Sequence, residues 1–282
     1  MRSGSQFITH PSGETTHLIA DDFTDPWRES RETILLQGGF ARHAAFFYHW
    51  VPALSRDYNV IRRDLRGHGY SSAPPISDKP DVYTLDAILG DIIDTLDQLK
   101  IEKVHFFGES TSGMLGEILA AKHPDRLKSL TICSSPAYLP EATQTFLAFG
   151  EASFPEACRI LGSRGWAERL KAQPGTMTHP DPAYHKWWLD QISVSPGEGL
   201  ASYAEFLGTL DARPYLSQIR VPTLILAPAN SAATRVAEQT AIQQQIEGSK
   251  LVIVDGAGHE IYVDKADQCI SEILRFIQDT NI

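Results

Sequence analysis

A length of 282 residues fits one large α/β domain with an insertion, or two small domains. Hydrophobic content of 42% and charged content of 21% describe a globular chain able to bury a sizeable core, and a net charge of −10 disfavours nucleic acid or anionic membrane as partners. Three scattered cysteines (Cys133, Cys158, Cys269) exclude a disulfide framework, no apolar run follows Met1 to Gln6, and no segment reaches the length of a membrane span, so a cytoplasmic protein is expected, whether monomer or homodimer.

Taken in order, residues 5–22 read as two short strands around the turn at Pro11-Ser12-Gly13. The apolar run Thr33-Ile34-Leu35-Leu36 reads as a strand ending in the loop signal Gln37-Gly38-Gly39-Phe40. A helix is expected over 43–55 and a strand over Asn59 to Arg63, leading into Asp64-Leu65-Arg66-Gly67-His68-Gly69-Tyr70-Ser71. From Thr84 to about Leu99, Leu85, Ile88, Leu89, Ile92, Leu96 and Leu99 fall on one helical stripe. Asp86, Asp94 and Asp97 face away from it, as a solvated face. Leu127 to Cys133 reads as another strand.

From about Pro136 to Gln218 the rhythm changes. This stretch lacks a clear strand and carries Phe146, Phe149, Trp166, Trp187, Trp188, Tyr203 and Phe206, which reads as a helical insertion. Strand-like runs return at Val221 to Leu226 and Lys250 to Val254. Between them a helix is expected near 234–246, and another over 264–278 with Ile270, Ile273, Leu274 and Ile277 on one face. Alternating strands and helices imply a mostly parallel sheet covered on both sides.

The chemistry concentrates in Val104 to Gly113. A short apolar strand breaks at Gly108, and a helix-like run begins after Ser110. A serine two residues past a glycine, at a sharp strand-to-helix turn, is a nucleophile elbow. Small residues must surround it because the turn crowds the backbone, and here they are Gly108, Ser112 and Gly113. The free amides at the start of the following helix face any oxyanion formed at the serine. A serine hydroxyl needs a base. His259, behind Gly256-Ala257-Gly258 after the last expected strand, has the position and the flexible lead-in. His179, Asp181 and His185 form no strong ligand motif and read as a solvated loop, so no metal is expected.

Four motifs in this order and spacing, Gln37-Gly38-Gly39, Asp64 to Ser71, the elbow at Ser110 and Gly258-His259, resemble the α/β-hydrolase superfamily over essentially the whole chain. The resemblance implies an α/β fold: a mostly parallel eight-stranded sheet flanked by helices, with a helical lid inserted after the sixth strand. The implied core is 1–136 plus 217–282, and the lid 137–216. It implies Ser110 as nucleophile, His259 as base, and the backbone amides of Gly39 and Thr111 as the oxyanion hole, with Phe40 second to Gly39. His68 lies in a loop where the family shapes the rim of the site, and a structural role is expected of it. Gln37 stands where the family usually has histidine, a change expected to alter loop support more than catalysis.

The acid is the departure. After the seventh strand the chain reads Ala227-Pro228-Ala229-Asn230-Ser231-Ala232, without Asp or Glu. The alternative slot at the end of the sixth strand, used by zearalenone-lactonase-like enzymes, holds Ser134. The third member stays open between Glu141, Glu260, Glu117 or Asp255 arriving by an unfamiliar route, and a neutral Asn230 or Ser134. No cofactor is expected, because no dinucleotide or phosphate-loop fingerprint is present. A serine at the elbow, where haloalkane dehalogenases and epoxide hydrolases carry aspartate, excludes both reactions. The expected activity is hydrolysis of an ester or lactone of a small, mainly apolar, ring-containing substrate, near the zearalenone-lactonase-like or enol-lactonase-like esterases. Phe40, Trp187 and Trp188 are the candidate substrate contacts. A ligand-binding protein on a retained hydrolase fold, and a carbon–carbon bond hydrolase, are the alternatives.

Overall fold

The computed structural model describes residues 3–27, 31–231, 233–256 and 258–280; Ala232 and Ala257, named in the loops above, lie outside the described residues, as do Met1 and Arg2. The strands are β1 (Gly4–Thr9), β2 (Thr15–Asp21), β3 (Thr33–Gln37), β4 (Asn59–Arg63), β5 (Val104–Glu109), β6 (Leu127–Cys133), β7 (Thr223–Pro228) and β8 (Lys250–Val254). They form one sheet in the order β1-β2-β4-β3-β5-β6-β7-β8. β2 pairs antiparallel with β1 and β4, and every other pairing is parallel. The eight-stranded, mostly parallel sheet is the one expected.

Burial on both faces explains the near-continuous apolar strands. Successive side chains alternate, so Leu35, Ile61, Phe106 and Ile132 enter one apolar cluster while Leu36, Val60, Phe107 and Cys133 enter the other. The helices that cover them include α1 (Val51–Leu54), α2 (Leu85–Gln98), α3 (Thr111–Lys122), α8 (Val236–Gln245), α9 (Ile261–Asp264) and α10 (Ala266–Thr280). The helix expected over 43–55 is a 3-10 turn at Ala44–Trp50 running into α1. In α2, Thr84 caps the first turn by accepting from the Ala87 amide, and the stripe Ile88, Leu89, Ile92 and Leu96 is buried.

Asp86 and Asp97 of α2 are exposed, as the pattern implies, while Asp94 is partly buried. Asp94 meets the Nδ1 of the buried His10 at 2.7 Å, Asp86 takes Lys122, and Asp97 takes Arg126. Partners just after β1, at the end of α3 and just before β6 reach that face, which a helical stripe alone does not report.

Between β6 and β7 lie α4 (Glu141–Leu147), α5 (Phe154–Lys171), α6 (Pro182–Ile192) and α7 (Gly197–Thr209), and none of the sheet strands. Its two ends meet, with Tyr138 bridging Asp211 and the Ala212 amide donating to Ala137 O at 2.8 Å. Gly162, at φ 65 and ψ 170, breaks α5 into two helices. The segment sits on the β4 loop: a Cβ on Gly67 would lie 2.4 Å from Gly199 O, so only glycine permits this backbone contact. Gly69 and Ile76 also donate their amides to Ser195 and Ser202 of the same segment. Among the described residues no helix is long and apolar enough to cross a membrane, and all three cysteines are free and buried.

Candidate active site

Ser110 occupies the turn between β5 and α3 with φ 50 and ψ −125, a conformation that L-residues avoid. The strain is held from several sides. Ser110 N donates to Cys133 O at 2.8 Å, and Ser112 Oγ donates to Gly38 O at 2.6 Å. A Cβ on Gly113 would lie 2.1 Å from Ser135 Oγ. Ser112, standing where the pattern usually has glycine, thus ties the elbow to the Gln37-Gly38-Gly39 turn. Serines at helix starts usually cap the helix. Ser110 makes no such bond, and its hydroxyl is left for His259.

The loop after β8 brings His259 to that hydroxyl, with Nε2 at 3.0 Å from Ser110 Oγ. Ser134 donates its hydroxyl to His259 O at 2.8 Å, and Asn230 Nδ2 donates to Gly256 O at 3.3 Å, so both neighbouring loops hold the histidine's backbone. The far ring nitrogen, Nδ1, meets Ser231 Oγ at 3.2 Å. The neutral residue facing the imidazole is therefore Ser231, one place beyond Asn230, which the sequence reading passed over. The only sequence signal was that Ser231 sits in the slot after β7. Ser134 holds the backbone rather than the ring. Glu260 accepts from Arg42 and Trp188, while Glu141 and Asp255 are exposed. Glu117 is buried in α3 with neither carboxyl oxygen hydrogen-bonded. Loss of solvent around His259 lowers its pKa to about 4; the nearby Glu260 opposes this and Arg42 adds to it. The ring is thus neutral, and a weak base, at neutral pH.

The expected oxyanion amides lie beside the hydroxyl. A Cβ on Gly39 would fall 2.8 Å from Ser110 Cβ, which shows how closely the turn after β3 approaches. Thr111 is the first residue of α3, and its hydroxyl accepts from the Phe40 amide at 2.9 Å. The Gly39 amide itself donates to Glu109 Oε2 at 2.8 Å. Glu109, the residue before Ser110, was not singled out by the sequence reading. Gln37 donates its Nε2 to Arg63 O and accepts from the Arg63 guanidinium, tying the end of β3 to β4.

Phe40 is half-buried and packs edge-on against Phe154 and Trp166 of the inserted segment. Trp188 is buried, stacked on Arg42, and donates to Glu260 at 3.1 Å. Trp187 packs on Phe46 and Tyr48. His68 is fully buried against Phe40 and Tyr203, a structural position, with its pKa lowered to about 4 by burial. Asp181 caps α6, and His185 Nε2 meets His179 O at 2.6 Å.

One further hydrogen-bonded line joins Ser5 Oγ to His17 Nε2 at 2.9 Å and His17 Nδ1 to Asp64 at 2.8 Å. It has a carboxylate, yet Ser5 lies inside the regular strand β1, with no strained turn and no helix start beside it. Ser110 has the turn and the amides but, among the described residues, no carboxylate on the Nδ1 of its histidine.

A family profile described as alpha/beta hydrolase fold matches residues 32–173, and one described as TAP-like protein matches 209–282. The chain is 25% identical over 280 residues to the 3-oxoadipate enol-lactonase 1 of Acinetobacter baylyi, covering 97% of each. It is 23% identical over 249 residues to the Karrikin insensitive 2 receptor IA of Petunia hybrida, covering 87% of this chain and 90% of that protein. The crystal structure of the enol-lactonase from Burkholderia xenovorans LB400 superposes with a TM-score of 0.85 at 26% identity, over 97% of this chain and 100% of that one.

Proposed function

The chain belongs to the alpha/beta hydrolase fold family, and from that premise we propose that it hydrolyses an ester or lactone bond through Ser110. The observation that carries the proposal is the 3.0 Å approach of His259 Nε2 to a hydroxyl held in a strained elbow. The 3-oxoadipate enol-lactonase relative and the enol-lactonase structure support a lactone or related ester as the substrate class. In this mechanism His259 Nε2 takes the Ser110 proton as Oγ attacks the carbonyl, and the amides of Gly39 and Thr111 receive the oxyanion. The protonated imidazole then gives its proton to the leaving oxygen. A water deprotonated by His259 releases the acyl group.

Ser231 sets the pace of this cycle. The Ser231 oxygen accepts the amides of Ala233 and Thr234, each at 3.1 Å. Its own hydrogen is then free to point at His259 Nδ1, which places the ring proton on Nε2, the wrong nitrogen for a base. A carboxylate only accepts and so enforces one tautomer; a hydroxyl permits both. The dyad is therefore slow. The inserted helices act as a lid, and the half-buried Phe40, backed by the buried Phe154 and Trp166, offers an apolar surface to a ring-containing acyl or alcohol group.

The same neutral partner favours a second reading, a receptor that holds a ligand and turns it over rarely, and the receptor relative from Petunia supports it. A fluorophosphonate probe and a short-chain p-nitrophenyl ester separate the two. Under the hydrolase reading the wild type is labelled and turns the ester over. Ser110→Ala abolishes both, His259→Ala slows both by at least about 100-fold, and Ser5→Ala changes neither. An unlabelled wild type that still binds a lactone tightly favours the receptor.

A further inference from the structure

Glu109, the last residue of β5, directly precedes Ser110, and the mechanism above gives its carboxyl group no part. It is buried, with Oε2 on the Gly39 amide at 2.8 Å and Oε1 3.8 Å from His259 Nε2. An acceptor already sits where a substrate oxyanion must bind.

We propose that Glu109 is a catalytic residue of the hydrolysis argued above: neutral, its carboxyl O–H hydrogen-bonds the oxyanion formed at Ser110, and ionised, it occupies the Gly39 amide and stops the reaction. The charge balance gives the reason. A carboxylate on the same amide as a developing oxyanion places two negative charges within about 3 Å, in a site with little water to screen them. The same carboxylate would steady the imidazolium of His259, but at 3.8 Å that attraction is the longer and weaker of the two. The neutral acid has no such conflict, since its O–H offers a third donor beside the amides of Gly39 and Thr111.

The surroundings favour the neutral form. Burial raises the Glu109 pKa to about 7, with Glu260 adding to the rise, while Arg42 and the Gly39 amide oppose it. Arg42 is spent largely on Glu260, to which both Nε and one terminal nitrogen donate. From the other elements, Tyr262 of α9 and the Cys133 thiol at the end of β6 also sense Glu109, and burial drives the pKa of each upward, so both remain neutral. His259 is neutral above about pH 4. Activity is therefore lost as pH falls through about 4, where the base protonates, and lost again as pH rises through about 7, where Glu109 ionises.

The test measures the fluorophosphonate labelling rate of Ser110 from about pH 5 to about pH 9, in the wild type and in Glu109→Gln. The expected wild-type rate is level to about pH 7 and falls roughly 100-fold by about pH 9. Glutamine keeps a donor for the oxyanion and carries no charge to hold the Gly39 amide against it, so its rate stays level to about pH 9. Identical profiles for the two proteins overturn the proposal. So does a wild-type rate that holds or rises above neutral pH, a result that needs no variant to fold. Absence of labelling in the wild type at every pH overturns the serine-hydrolase reading itself.

Discussion

Ser231 holds the place from which a carboxylate would choose the tautomer of His259, and a single substitution can supply one. Aspartate suits the same turn, because its oxygens can accept the Ala233 and Thr234 amides that the serine accepts. Ser231→Asp is expected to raise kcat for a p-nitrophenyl ester about 10- to 1,000-fold. It should also raise the His259 pKa from about 4, moving the acid limb of the rate profile upward, because the carboxylate favours the imidazolium. An unchanged rate with an unmoved acid limb would show that Ser231 does not orient the ring. Residue identity at this slot is visible in the chain, but its contact is not. Asn230 and Ser231 are adjacent, and only the turn after β7 decides which one meets Nδ1.

At the scale of the element, α3 serves the site at its first turn and weakens the protein further along. Glu117 lies two helical turns beyond Ser110, buried, with both carboxyl oxygens unbonded. Its pKa is raised well above the ordinary 4.5 by burial alone. A raised carboxyl binds its proton more tightly in the folded state. Its contribution is thus full below about pH 4.5 and declines as pH rises toward the folded pKa. Glu117→Leu should raise stability at neutral pH by about 1–3 kcal/mol. Its urea midpoint should also depend less on pH between about 5 and 7 than that of the wild type. Labelling of Ser110 should persist, because the elbow is held by Ser112, Gly113 and Cys133 rather than by Glu117. A lower midpoint would mean that this carboxyl has a stabilising partner.

For the molecule as a whole, the inserted helices and the two halves of the sheet region converge on one buried ion pair. Arg42 follows β3, Glu260 precedes α9, and Trp188 of α6 both stacks on the guanidinium and donates to the carboxylate. Removing one partner strands a charge in the interior. Glu260→Ala is therefore expected to cost about 3–5 kcal/mol in urea unfolding, while Arg42→Met combined with Glu260→Leu costs much less. Equal losses in the single and double variants would mean that packing, not charge, holds the three segments together. Residues 218 apart in sequence make this contact, and nothing local in the chain announces it.

Local pattern alone determined the eight strands, the helical stretch between β6 and β7, and the elbow around Ser110. Strand alternation, the α2 stripe and a glycine-flanked serine act over a few residues, where backbone sterics and hydrophobic period decide the outcome. The pairing of Ser110 with His259 was inferable from motif order, because parallel strands deliver their carboxyl ends to one edge. The tertiary structure decided what happens between side chains there: Ser231 against the ring, Glu109 on the Gly39 amide, His68 buried, and Trp188 drawn into an ion pair. Those outcomes rest on a few ångströms of loop placement and on the loss of solvent around charge, and sequence spacing encodes neither.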